Sequence, residues 1–108
     1  MATCLTKRYG DTILKPTTED LAAALAELER EDPEHPDCWL SDEDDWTISV
    51  FVGGLVILEN PETQEGPWHM RGVSPTQVLG LWRLLDQGNI AELHNQPWIQ
   101  GYGRATDG

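Results

Sequence analysis

The stretch WTISVFVGGLVILE, residues 46–59, constrains the fold of this chain most. Trp46, Ile48, Val50 and Val52 alternate with Thr47, Ser49 and Phe51, and a period of two puts each set on its own face of a strand. Gly53-Gly54 follows; two residues that both tolerate positive φ make a tight hairpin link. LVILE at 55–59 returns as the partner strand, apolar enough to be central in a sheet. An isolated hairpin is at best marginal in water, so its apolar face needs a cover.

Two helices supply one. In PTTEDLAAALAEL, Thr17 followed by Asp20 approximates a capping box, and Leu21, Leu25 and Leu28 recur at i, i+4 and i+7. The pattern predicts an amphipathic helix over about 18–31, ended by Pro33. The second helix starts at SPTQ, with Ser74 as cap, Pro75 in the first position and Gln77 completing the box. Val78, Leu81, Trp82 and Leu85 share one face and Gly88 closes the helix, which predicts a helix over 75–87 with a further short turn at 89–94. Residues 2–9 have weak strand character up to a Gly10-Asp11 turn. Cys38 to Leu40 start a short strand, Trp68 to Met70 offer another, and the segment after Asn95 reads as extended, anchored by Trp98 and loose from about residue 100. Two helices on one face of a mostly antiparallel sheet make a two-layer α+β domain. The 108 residues suffice for one such domain, and 1–108 is read as one. Its expected core is Leu21, Leu25, Leu28, Ile48, Val50, Ile57, Val78, Leu81, Trp82 and Leu85.

Charge narrows the function. Nineteen acidic against seven basic residues give a net charge of −12. That excludes direct binding to nucleic acid or an anionic membrane, where phosphate contacts need lysine and arginine; it permits a basic protein partner. The acid is unevenly spread: residues 27–45 hold ten carboxylates and one cation, Arg30. Glu27, Glu29 and Glu31 fall at the end of the first helix, where negative charge opposes the macrodipole, so stability alone would not choose them. Trp39 and Trp46 flank the acidic loop, and an aromatic anchor among charges is the composition of a protein-binding patch. The plainer alternative is that these rings and Trp68 cap the sheet ends. The candidate partner-binding residues are Asp37, Trp39, Asp42, Glu43, Asp44, Asp45 and Trp46.

Catalytic groups are not indicated. No GxSxG elbow, phosphate-binding glycine loop or HExxH occurs, and His35, His69 and His94 are isolated in the sequence. Asp42-Glu43-Asp44-Asp45 invites a calcium site, but an EF-hand begun at Asp42 would need a ligand at Trp46 and a glycine at Thr47. No enzyme activity, cofactor or metal is expected. Cys4 and Cys38 form no CxxC pair. The first residues carry no apolar run of the secretory kind, and FVGGLVIL at 51–58 falls far short of the about 20 residues a membrane helix needs. A reduced, cytoplasmic protein is expected.

A short strand, the capped leucine helix PTTEDLAAALAEL, a strand, the hairpin WTISVFVGGLVILE and the closing helix SPTQVLGLWRLLDQGNI together resemble an α+β family of immunity proteins from bacterial polymorphic toxin systems. The resemblance covers about residues 10–90 and is one of element order and apolar pattern. It implies a non-catalytic protein, monomeric alone, that binds a cognate secreted toxin one to one and neutralises it. Such toxins often act on nucleic acid. A basic cleft made for phosphates would accept an acidic surface in their place. A small acidic secretion chaperone, typically a dimer with exposed apolar grooves, is the alternative.

Overall fold

Both capping boxes form. Thr17 Oγ1 accepts the Asp20 N–H at 3.1 Å while the Asp20 carboxylate accepts the Thr17 N–H at 2.8 Å, opening α1 (Thr18–Glu27). Ser74 and Gln77 make the same exchange at 3.2 and 2.9 Å and open α2 (Pro75–Asp86). The computed structural model describes residues 2–102. Around these helices it places β1 (Thr3–Thr6), β2 (Thr12–Leu14), β3 (Asp37–Asp42), β4 (Thr47–Phe51), β5 (Val56–Asn60), β6 (Glu65–Met70), a short α3 (Ile90–His94) and β7 (Ile99–Gln100). The strands form one antiparallel sheet in the order β2-β1-β3-β4-β5-β6-β7. The fold is α+β, with a Cα radius of gyration of 12.8 Å, close to the about 13 Å of a compact 100-residue domain. No described helix is long and apolar enough to cross a membrane.

All three helices share one core with one face of the sheet. Leu5, Leu40, Ile48 and Leu58 stand side by side across β1, β3, β4 and β5, and all are fully buried. Over them pack Leu21, Ala24, Leu25 and Leu28 from α1 and its cap, Val78, Leu81, Trp82 and Leu85 from α2, and Leu93 from α3. The Trp82 ring is wholly buried and its Nε1–H donates to the Ile48 carbonyl at 3.2 Å, the partner a buried indole needs. Every expected core residue is buried. Ile57, however, lies on the opposite, helix-free face, in a row with Trp39, Ser49, His69 and Ile99, because strand neighbours alternate sides.

Four details differ from expectation. The helix expected to run to residue 31 stops at Glu27: the chain continues in i→i+3 turns, Leu28 N–H to the Leu25 carbonyl and Glu29 N–H to the Ala26 carbonyl, and the Arg8 guanidinium caps the carbonyls of Glu27 and Arg30. The hairpin link has three residues, not two: Phe51 N–H donates to Leu55 O at 2.8 Å, leaving Val52-Gly53-Gly54 between them. Gly54 has φ +88, and a Cβ there would lie 3.1 Å from the Val73 carbonyl, so the tip meets the entry to α2 backbone to backbone. The weak first strand forms as β1, and beyond the Gly10-Asp11 turn an unexpected β2 folds back on it. Finally, the segment after Asn95 adds β7 to the sheet; the part of the expected loose end from residue 103 onward lies outside the described residues. Cys4 and Cys38 are both free thiols, and burial pushes the Cys38 thiol up to about 12, with Asp37 and Glu27 adding to the effect.

Candidate protein-binding site

β3 cuts the acidic run in two. Asp37 starts the strand opposite Phe51, at the hairpin-tip end of the sheet, and Asp42 ends it opposite Thr3. Six residues of strand span roughly 17 Å at 3.3–3.4 Å per residue. Glu27 through Asp37 therefore sit at one pole and Asp42 through Asp45 at the other. Trp39 lies between them, half-buried on the helix-free face beside Thr6 and Ser49. The seven candidate residues do not form one surface.

At the first pole the charge that opposes the α1 dipole is answered from the turn after β1. Arg8, buried to 4% exposure, donates from Nη1 to the Glu27 and Arg30 carbonyls and from Nε and Nη2 to the His35 carbonyl. A guanidinium carries five donors in a rigid fork, and here it ties the helix end and the loop 28–36 together. Lys7 pairs with Glu27 at 3.6 Å. The carboxylates that stability alone seemed not to choose thus have a cation beneath them, one the sequence hid in a weak strand.

At the second pole Asp42 builds the turn. Its Oδ1 accepts the N–H groups of Asp44 and Trp46, both at 2.9 Å, and the backbone closes with Asp42 N–H to Trp46 O at 3.0 Å. The three-residue loop ends on Asp45 in the left-handed region, φ 70, a conformation that Asp and Asn tolerate better than most residues. Asp42 itself is 7% exposed, so it leaves the set of contact residues and becomes the scaffold of the others. Burial raises its carboxyl above the usual range and the charges of Asp44 and Asp45 push the same way, against the pull of the two N–H bonds. Asp before a short loop is a turn signal in its own right, and that signal was legible.

Asn60 then joins two turns. Buried to 2% exposure, it donates from Nδ2 to the Asp44 carbonyl at 2.9 Å and accepts the Glu62 and Thr63 N–H groups on Oδ1 at 3.0 and 3.1 Å. Glu43, Asp44 and Asp45 are exposed there, and so are Glu62 and Glu65 of the neighbouring turn. No lysine or arginine occurs in the sequence between Arg30 and Arg71.

Beside this acid lies an aromatic cluster. Trp46 and Trp68 are both half-buried with ring centroids 6.4 Å apart, and the His94 ring stands edge-on to both, at 4.8 and 5.4 Å. His94 is placed by the end of α3, where its Nδ1–H donates to the Ile90 carbonyl at 3.0 Å. Trp98 fixes α3 from the other side, donating Nε1–H to the Leu93 carbonyl at 2.7 Å. Trp68 is held by Gly66, φ +86, whose Cα backs directly on the indole: a Cβ there would lie 3.0 Å from both the Trp68 ring and the Leu58 carbonyl. Trp68 and His94 are the site residues that the candidate set omits. Only the β5–β6 pairing and the position of α3 bring them to Trp46, and neither leaves a periodic signal.

The arrangement sets two indoles and an imidazole beside exposed carboxylates. Amphipathic rings with carboxylates around them suit the desolvated centre and charged rim of a protein interface. Among the described residues no three of His, Cys, Asp and Glu gather as metal ligands. Comparison with protein-family models, with curated proteins and with solved structures finds no match to this chain.

Proposed function

We propose that this protein is an immunity-type inhibitor: it binds a cognate toxin with a basic, nucleic-acid-acting cleft and occludes that cleft inside the producing cell, one to one and without catalysis. One observation carries the proposal. The turn Glu43-Asp44-Asp45, free of any neighbouring lysine or arginine in the sequence, stands next to the cluster of half-buried Trp46 and Trp68 with the exposed His94 ring. Carboxylates would raise the encounter rate, which electrostatic steering lifts from about 10⁵–10⁶ toward 10⁸–10⁹ M⁻¹s⁻¹ at low salt. The indoles would hold the complex once formed, since tryptophan anchors dominate dissociation.

The test starts from the neighbouring reading frame in the source genome. Its product should arrest growth when expressed alone, and co-expression of this chain should restore growth. With the purified pair, Glu43→Gln/Asp44→Asn/Asp45→Asn should slow association at least about tenfold at low salt and much less at high salt. Trp46→Ala should instead speed dissociation, costing about 2 kcal/mol or more. A neighbour whose toxicity this chain does not relieve, or a triple variant with unchanged rates at both ionic strengths, refutes the proposal.

A further inference from the structure

The opposite pole carries a different kind of surface. A cavity of about 310 Å³ opens between the end of α1, the β4–β5 hairpin tip and the start of α2. Leu25 and Leu28 form one wall, Val50 and Val52 the second, Val73 and Val78 the third, and Glu29 and Glu31 the rim. Its volume is at the lower end of the roughly 300–1,000 Å³ of ligand pockets.

The walls are fixed before anything binds. Val73 N–H donates to the Gly54 carbonyl at 3.0 Å, clamping the tip to the α2 entry, and Val52 N–H donates to the Pro36 carbonyl at 3.0 Å, clamping it to the acidic loop. The Arg8 bonds to the Glu27, Arg30 and His35 carbonyls hold the α1 end, beside the Leu25 and Leu28 wall. A preformed apolar hollow loses little conformational freedom when filled.

Charge says what would fill it. The lining contains no lysine or arginine, both rim glutamates are exposed, and neither belongs to an ion pair among the described residues. An acidic or lipid-carboxylate ligand would be repelled, whereas a cation next to an apolar group would satisfy both rim and floor. We propose that this groove is a second docking site, for a basic segment of a partner protein that inserts an apolar side chain between Leu28, Val52 and Val78 and sets flanking lysines or arginines against Glu29 and Glu31. The site lies at the far end of β3 from the Trp46 cluster and stands independently of it.

The probe is a short synthetic peptide in which leucines are flanked by lysines, titrated into the full chain and followed by methyl NMR. Saturable shifts should appear at Leu25, Leu28, Val52, Val73 and Val78. Glu29→Gln/Glu31→Gln should weaken binding about three- to tenfold, the scale of exposed ion pairs, and added salt should shrink that difference. Val52→Lys, on a half-buried position, should abolish binding while the remaining spectrum keeps its dispersion. The Glu43→Gln/Asp44→Asn/Asp45→Asn chain should bind the peptide as wild type does. Equal binding of a peptide with serines in place of the leucines overturns the proposal. So do shifts confined to residues 43–46, and so does the lack of saturable shifts up to millimolar peptide.

Discussion

Arg8 is the residue whose loss should reveal most about how the fold holds its acid. It is 4% exposed and donates to three carbonyls, those of Glu27, Arg30 and His35, with the Arg30 bond at 2.8 Å and the His35 bonds at 3.0 and 2.8 Å. A hydrogen bond to a charged group contributes about 1.5–3 kcal/mol net. Three such acceptors would sum to more, but contributions in one network are not additive, and loop 28–36 can open to give its carbonyls water. Arg8→Ala should therefore cost about 2–4 kcal/mol. Arg8→Lys should recover less than half of that, because an ammonium keeps the charge but not the fork that reaches both sides of the loop. The loss has a second component. Without the guanidinium, Glu27, Glu29, Glu31, Asp32 and Glu34 face the α1 C-terminus with no buried cation beneath them, so salt should restore part of the stability. Urea unfolding followed by tryptophan fluorescence measures all three effects, and amide exchange at residues 27–36 locates them. If Arg8→Ala costs less than about 0.5 kcal/mol, the level of an ordinary surface change, the staple is incidental and the acidic loop must be held by something else.

Three further outcomes follow from the geometry. Asp42 has a carboxyl raised above the ordinary aspartate range by burial, so this group destabilises the fold at neutral pH and the penalty fades as pH falls through the raised value toward that ordinary range. Asp42→Asn keeps the Oδ1 acceptor and removes the charge; urea unfolding should show it gaining on wild type at pH 7 and losing that advantage near pH 4. Gly66→Ala needs positive φ and pushes a methyl into the Trp68 ring and the Leu58 carbonyl, so near-UV circular dichroism of the tryptophan cluster should change and stability should drop by about 1–3 kcal/mol. Leu81→Ala on the buried face of α2 should cost about 2–5 kcal/mol in the same unfolding assay; a loss below about 0.5 kcal/mol would misplace the core.

The parts of the fold that were legible are those with a local code. Thr17–Asp20 and Ser74–Gln77 mark helix starts by side-chain chemistry within one turn, and residues 46–52 show a strand because seven residues are enough to display a period of two. β2 and β7, at three and two residues, are too short to display any period and exist only because β1 and β6 offer edges to pair with. Arg8 sits between Lys7 and Tyr9 with nothing to distinguish it, and its partners are 19 to 27 residues away. The site fared likewise. Glu43, Asp44, Asp45 and Trp46 are contiguous and stayed together, whereas Trp68 and His94 join them through sheet register and helix placement. The acidic run misled for the same reason: adjacency in sequence becomes separation in space as soon as a strand runs through it.

What remains is whether the fold itself demands the acid at the second pole. The turn needs an acceptor at 42, supplied by Asp42 Oδ1, and a residue tolerant of φ 70 at 45. It does not need carboxylates at 43 and 44. Asp44 serves the turn through its backbone alone, its N–H to Asp42 and its carbonyl from Asn60, and neither the Glu43 nor the Asp44 side chain takes part in an ion pair among the described residues. Charges set this close repel one another and, through Asp42, raise a buried carboxyl. Neutralising Glu43, Asp44 and Asp45 to Gln, Asn and Asn should therefore leave stability unchanged or raise it by about 0.5–1 kcal/mol, since Asn also adopts the left-handed conformation readily. A stability gain together with slower partner association would separate the two roles: the acid would then be a feature the fold tolerates and the interface uses. A loss of more than about 1 kcal/mol, beyond the scale of exposed charge effects, would instead make these carboxylates structural and withdraw the main support for the binding role.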